Sequence, residues 1–192
     1  FYVSEINSKK NIASFPLYVG LECEWDEYYY KWLDTLKKDF NLDYLVFGSH
    51  WLTLKKNNKI IHKYVPTISA FDEFKLYINQ TIEGIQSGLF KFLAHPDLPL
   101  AKGLIWDDMI AFEFEKLIDA AVKYNMPLEI NGLGMHKPMI HNLDGTMRYQ
   151  YPVDEFWQLA KTKGAKIICN SDAHSPQQVI DFAQSARDYA KS

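Results

Sequence analysis

Five short apolar runs, at residues 17–25, 43–51, 90–98, 126–132 and 165–174, alternate with segments whose apolar residues recur at helical spacing. This alternation is the tightest constraint on the fold, because strand, helix and strand in succession build parallel βαβ units. The runs are nearly continuous in apolar residues, as expected of strands covered on both faces. Tyr29, Trp32, Leu33, Leu36 and Phe40 predict a helix over 26–40. A second helix is expected over 70–88, capped near Ser69 and stopped near Gly88, and a third over 107–125 with acidic residues in its first turn. A fourth covers 153–164 and ends at Gly164, and the last takes Ser175 as N-cap and Pro176 as its first residue. Residues 52–65 read as a hairpin turning around Asn57-Asn58, and 133–151 as a long loop. An open doubly wound sheet or a barrel satisfies this order, and both gather functional residues at the C-terminal ends of the strands.

What stands at those ends is unusual. The first run carries Glu22, Glu24 and then Asp26; the second ends in Gly48-Ser49-His50; the third in His95-Pro96-Asp97. The fourth ends in Glu129-Ile130-Asn131 and the fifth in Asp172-Ala173-His174. Carboxylates brought to one rim repel each other, and a cation resolves the conflict, since imidazole and carboxylate suit Zn²⁺, Mn²⁺ and Fe²⁺. Each feature alone has a plainer reading. His-Pro-Asp is a turn signature, Asp172 could cap the last helix, and a single strand-end His is more often a hydrogen-bonded structural residue. Glu22, however, lies inside an apolar run, where a lone carboxylate is costly. The joint occurrence at successive strand ends carries the metal reading.

The ordered stretches "GLECEW", "FGSHW", "LAHPDL", "LEINGLGMHK" and "CNSDAH" resemble the polymerase and histidinol phosphatase (PHP) family, above all its histidinol-phosphatase branch, from about residue 17 to 180. The resemblance implies an α/β fold, a distorted (β/α)₇ TIM-like barrel with up to three divalent metals, Zn, Mn or Fe, at its C-terminal rim. It makes Glu22 a carboxylate bridging two metals, His50 and His95 imidazole ligands of the second, Asp172 a first-site ligand and His174 a ligand of the third. Glu22, Asp172 and His174 are then also the catalytic candidates, and Asn131 belongs to the substrate pocket. The branch carries Gly-Leu-Arg-Lys where this chain has Gly134-Met135-His136-Lys137, so gripping the phosphate falls to His136, Lys137 or Arg148. The implied activity is hydrolysis of a small phosphomonoester, with L-histidinol phosphate and histidine biosynthesis in view, by attack of a metal-bound hydroxide. A nucleotide-directed phosphoesterase and a degenerate, non-catalytic metal-binding module are the alternatives. The family opens with a His-x-His strand, whereas no His precedes His50 and the chain starts with Phe1. The opening strands are therefore expected in an N-terminal portion absent from this chain.

Composition bounds the rest. A chain of 192 residues with 47% hydrophobic content suits one core and a single domain over 1–192. Its net charge of −3 is mixed along the sequence, without the basic stripe of a nucleic-acid-binding surface. No apolar run reaches the roughly 18 residues of a membrane span. Cys23 and Cys169 lie in apolar runs and read as buried thiols of a cytoplasmic protein. Trp51, beside His50, is a candidate pocket wall.

Overall fold

The computed structural model describes residues 2–57, 59–102 and 104–192. Along the chain run α1 (Tyr2–Lys10), β1 (Gly20–Cys23), α2 (Tyr30–Asp39), β2 (Tyr44–Phe47), β3 (Trp51–Lys56), β4 (Lys59–Tyr64), α3 (Phe71–Gln86) and α4 (Asp108–Lys123). Then follow β5 (Leu128–Asn131), α5 (Gly132–Met135), β6 (Ile140–His141), β7 (Met147–Arg148), α6 (Asp154–Thr162), β8 (Ile167–Asn170) and α7 (Gln178–Tyr189).

The expected parallel sheet is present. β1 pairs with β2, placing Glu22 opposite Val46, and β5 pairs with β8, placing Asn131 opposite Asn170. The run expected as the third strand joins the two pairs without forming a regular strand. Phe47 N–H donates to Phe92 O (3.0 Å) and Ala94 N–H to Phe47 O (2.9 Å). On the other side Leu93 N–H reaches Pro127 O (2.9 Å), and Leu93 O accepts from Glu129 N–H (2.9 Å). The order is therefore β1, β2, the 91–94 segment, β5, β8. Among the described residues β1 and β8 do not pair with each other, so the strand pairing does not close into the expected barrel.

Helices α3, α4 and α6 pack on one another in sequence through an aromatic chain, while α7 packs against β5 and β8. Phe114, fully buried, meets Phe74 and Phe156 edge-on, each at 4.9 Å between centroids. Such pairs add roughly 0.5–1.5 kcal/mol to the area that they bury. Asp107 caps α4, accepting from Ile110 N–H at 2.8 Å. Two expected caps are not used. α3 starts from Ala70 rather than Ser69, without a side-chain cap. α7 starts at Gln178 rather than Pro176, because residues 175–177 form a turn in which Gln178 N–H reaches Ser175 O at 3.1 Å.

β3 and β4 form the expected hairpin, with Trp51 opposite Tyr64. Asn57 sits at its tip with φ 49°, and Asn58 lies outside the described residues. The loop after β5 is not featureless, since it holds α5 and the small β6–β7 hairpin. Cys23 and Cys169 are free thiols, half-buried rather than buried. No helix among the described residues is long and apolar enough to cross a membrane.

Candidate metal centre

The sheet positions its strand ends at one rim, and three predicted ligands meet there. Glu22 is the third residue of β1, His50 follows β2 through Gly48-Ser49, and His95 follows the 91–94 segment. Glu22 Oε1 lies 3.4 Å from His50 Nε2 and 3.2 Å from His95 Nε2. The donor atoms of all three residues fall within 4.8 Å of one another. A tetrahedral zinc with bonds of about 2.0–2.1 Å needs donors about 3.3 Å apart, so this set fits a cation of that size. Exposure grades from Glu22 at the rim, through half-buried His50, to buried His95.

The backbone is shaped for this meeting. His95 has φ 30° and Asp172 φ 51°, in the left-handed region that side-chain-bearing residues avoid. Among the described residues, the other non-glycine residues there are all Asn, which tolerates it. Strain of this kind persists where surrounding structure enforces it, commonly at functional sites. Gly48 makes the close approach possible: a Cβ built there would collide with the Glu22 carboxylate and the His50 ring. Gly48→Ala should therefore weaken the affinity of the trio for a cation such as zinc by about 1–3 kcal/mol, the usual overpacking range, while the fold survives. A zinc titration of the variant checks this, and unchanged affinity would refute it.

Without a cation, the groups of the trio attract one another as ion pairs, and a metal would take the place of the imidazole protons. Partial burial pushes the Glu22 carboxyl up, but the hydrogen bond and charge of His95, with the charge of His50, outweigh it and hold it below its ordinary value. Burial opposes the charged form of His95, yet Glu22 and Glu129 raise it overall. Glu129 is buried and accepts from His95 N–H (3.1 Å), Asn131 Nδ2 (2.9 Å) and Asn170 Nδ2 (2.8 Å). Burial nonetheless lifts its carboxyl above the ordinary range.

The remaining predicted residues divide. Asp172 lies beside the trio, tied by Asn131 Nδ2 to its Oδ2 at 3.0 Å. Asn131 also donates to Glu129 and accepts from Gly134 N–H (3.2 Å), so its side chain links Glu129, Asp172 and the start of α5. Because β8 ends at Asn170, Asp172 and His174 stand in the loop after it and not on one face of a strand. His174 sits at the mouth, 68% exposed, with Nδ1 2.9 Å from Asp172 O. Lys137 does face the cleft and donates to the Tyr151 hydroxyl at 2.6 Å. Burial lowers its ammonium pKa, with Asp172 opposing.

Two anion-gripping candidates lie elsewhere. His136, the C-cap of α5, turns away from the cleft, stacks on Phe182 at 3.8 Å and contacts Ser185 Oγ at 3.0 Å. Arg148 donates to the carbonyls of Tyr149 (2.8 Å), Gln150 (3.2 Å) and Leu100 (2.8 Å), clamping the loop.

The cleft measures about 410 Å³, with Tyr64, Tyr151, Leu98 and Leu133 among its walls, none of which the sequence reading chose. Trp51 does not line it but packs on Tyr64, 5.2 Å between centroids. Glu24 and Glu129 stood at strand ends in the sequence, and their two-residue spacing from Glu22 and Asn131 was the available signal.

No family model matches the sequence, and no curated protein matches it. Among solved structures, the chain is similar to histidinol phosphate phosphatase from Lactococcus lactis, crystallised with zinc, L-histidinol and phosphate. The TM-score is 0.68 at 16% identity, covering 99% of this chain and 72% of that one. What the two share at this identity is the mixed α/β fold.

Proposed function

We propose that residues 1–192 form one domain of the PHP type, part of a distorted (β/α)₇ barrel, that hydrolyses a small phosphomonoester with the aid of divalent cations. The observation that carries the reading is the convergence of Glu22, His50 and His95 at metal-ligand spacing, with Lys137 in the same cleft. A cation held there would supply Lewis acidity and charge neutralisation toward the phosphoryl oxygens. Glu22 would contribute the anionic ligand, and His50 and His95 neutral nitrogen ligands. Lys137, desolvated and backed by Tyr151, would bind the phosphate as a point charge in place of the absent arginine. Asp172, held by Asn131, would orient the attacking water, and exposed His174 would pass a proton to the leaving alcohol.

The chain's mixed charge, without a basic stripe, suits a small substrate better than a polynucleotide. The ligands of the similar structure make L-histidinol phosphate the first substrate to test. Two free cysteines fit a cytoplasmic setting.

The experiment compares metal-stripped protein with protein reloaded with Zn²⁺ or Mn²⁺, on L-histidinol phosphate, p-nitrophenyl phosphate and a 5′-mononucleotide. Phosphate release should follow reloading and vanish with chelator. Bound metal without phosphate release from any substrate would favour the non-catalytic module, and preference for the mononucleotide the nucleotide-directed alternative.

A further inference from the structure

The two imidazoles of the trio are supported in different ways. His95 is buried, with its backbone N–H fixed on Glu129 (3.1 Å), while its Nδ1 has no hydrogen-bond partner among the described residues. His50 is half-exposed and follows an irregular Gly48-Ser49 link from β2, so packing alone holds it less firmly. Its Nδ1 lies 2.8 Å from Glu24 Oε1. Both oxygens of Glu24 also accept from the His50 backbone N–H, each at 3.1 Å, and Oε2 accepts from Trp51 N–H at 3.4 Å. One carboxylate thus clasps the ring and the backbone of the same histidine.

An imidazole offers either nitrogen as a ligand, and the hydrogen bond made by one decides which is free. A carboxylate accepts only, so Glu24 at 2.8 Å holds the proton on Nδ1, and Nε2, 3.4 Å from Glu22 Oε1, is the nitrogen that yields its proton when a cation enters between the two. We infer that Glu24 is a positioning residue that fixes the tautomer and ring orientation of His50 and so presents its Nε2 to a cation. This rests on the reading that Glu22, His50 and His95 hold a metal. It assigns Glu24 no direct bond to that metal.

The test uses the full chain as wild type, Glu24→Ala and Glu24→Gln. Zinc affinity and stoichiometry are measured by competition with a chromophoric chelator, the His50 tautomer by ¹⁵N NMR of the metal-free protein at a pH where the ring is neutral, and stability by metal-free thermal unfolding. Glu24→Ala should weaken zinc binding about 10–100-fold at unchanged stoichiometry. Because the Glu24 side chain is 40% exposed, water can take over its donors, so the metal-free Tm should fall by no more than about 3 °C, and His50 should lose its Nδ1–H preference. Glu24→Gln keeps an acceptor oxygen and should recover most of that preference. Wild-type affinity in Glu24→Ala overturns the inference, as does a matching fall in metal-free Tm, which would make the role merely structural. Loss of a whole metal equivalent also overturns it, because Glu24 would then be a ligand itself. Wild-type protein that binds no zinc overturns the metal reading on which the inference rests.

Discussion

Under the proposed function, Glu22→Gln is expected to leave the fold intact while removing bound metal and activity together. Glu22 Oε1 is the atom shared by both imidazoles, at 3.4 and 3.2 Å. Glutamine keeps the shape but carries no charge, and a neutral amide is a poor ligand for a hard divalent cation. The carboxyl is held below its ordinary pKa against the effect of burial, so its anion is the form that the site is built around. Losing the Lewis acid should cost several kcal/mol of transition-state stabilisation, roughly 10³-fold or more in kcat. Elemental analysis of dialysed protein should show the metal loss, and circular dichroism an unchanged fold. Wild-type turnover with this variant would refute the assignment.

Asp97→Ala should act on stability instead. Asp97 is 1% exposed, and its Oδ2 accepts from Val153 N–H at 2.7 Å and from the Trp157 indole at 3.1 Å. It therefore ties the turn that bears His95 to the start of α6. Burial pushes its carboxyl up to about 6, against the pull of these donors. Truncation leaves two buried donors without an acceptor, each costing about 1–3 kcal/mol. A total near 2–5 kcal/mol should lower Tm by roughly 5–15 °C in a domain of this size. Asp97→Asn keeps a carbonyl oxygen and should lose less. A Tm for Asp97→Ala within about 2 °C of wild type would show that the two bonds contribute nothing.

The His95-Pro96-Asp97 turn shows what the sequence made legible. Its turn character and its histidine were readable from residue type and position. That its aspartate points into the core, away from the cleft, depends on α6, more than fifty residues on, and no local pattern encodes it. Strand-helix alternation was readable because periods of 2 and 3.6 are local properties. The third strand was less so, since its pairing comes from its neighbours and ends at the left-handed His95. His136 and Lys137 are adjacent in sequence, yet the end of α5 turns one outward and the other toward the cleft. Matching by position alone cannot separate them. Arg148 looked free because its partners are backbone carbonyls, which every residue has.

The left-handed backbones of His95 and Asp172 have a consequence for descent. Each holds its residue in a conformation costing about 1–3 kcal/mol, which Asn or Gly would adopt with less strain. A lineage that no longer needs the site gains stability by exchanging either residue, and selection for folding alone pushes in that direction. Retention of both His95 and Asp172 against that pressure therefore marks sequences still under selection for what the site does. Asn or Gly at either position marks a scaffold released from it.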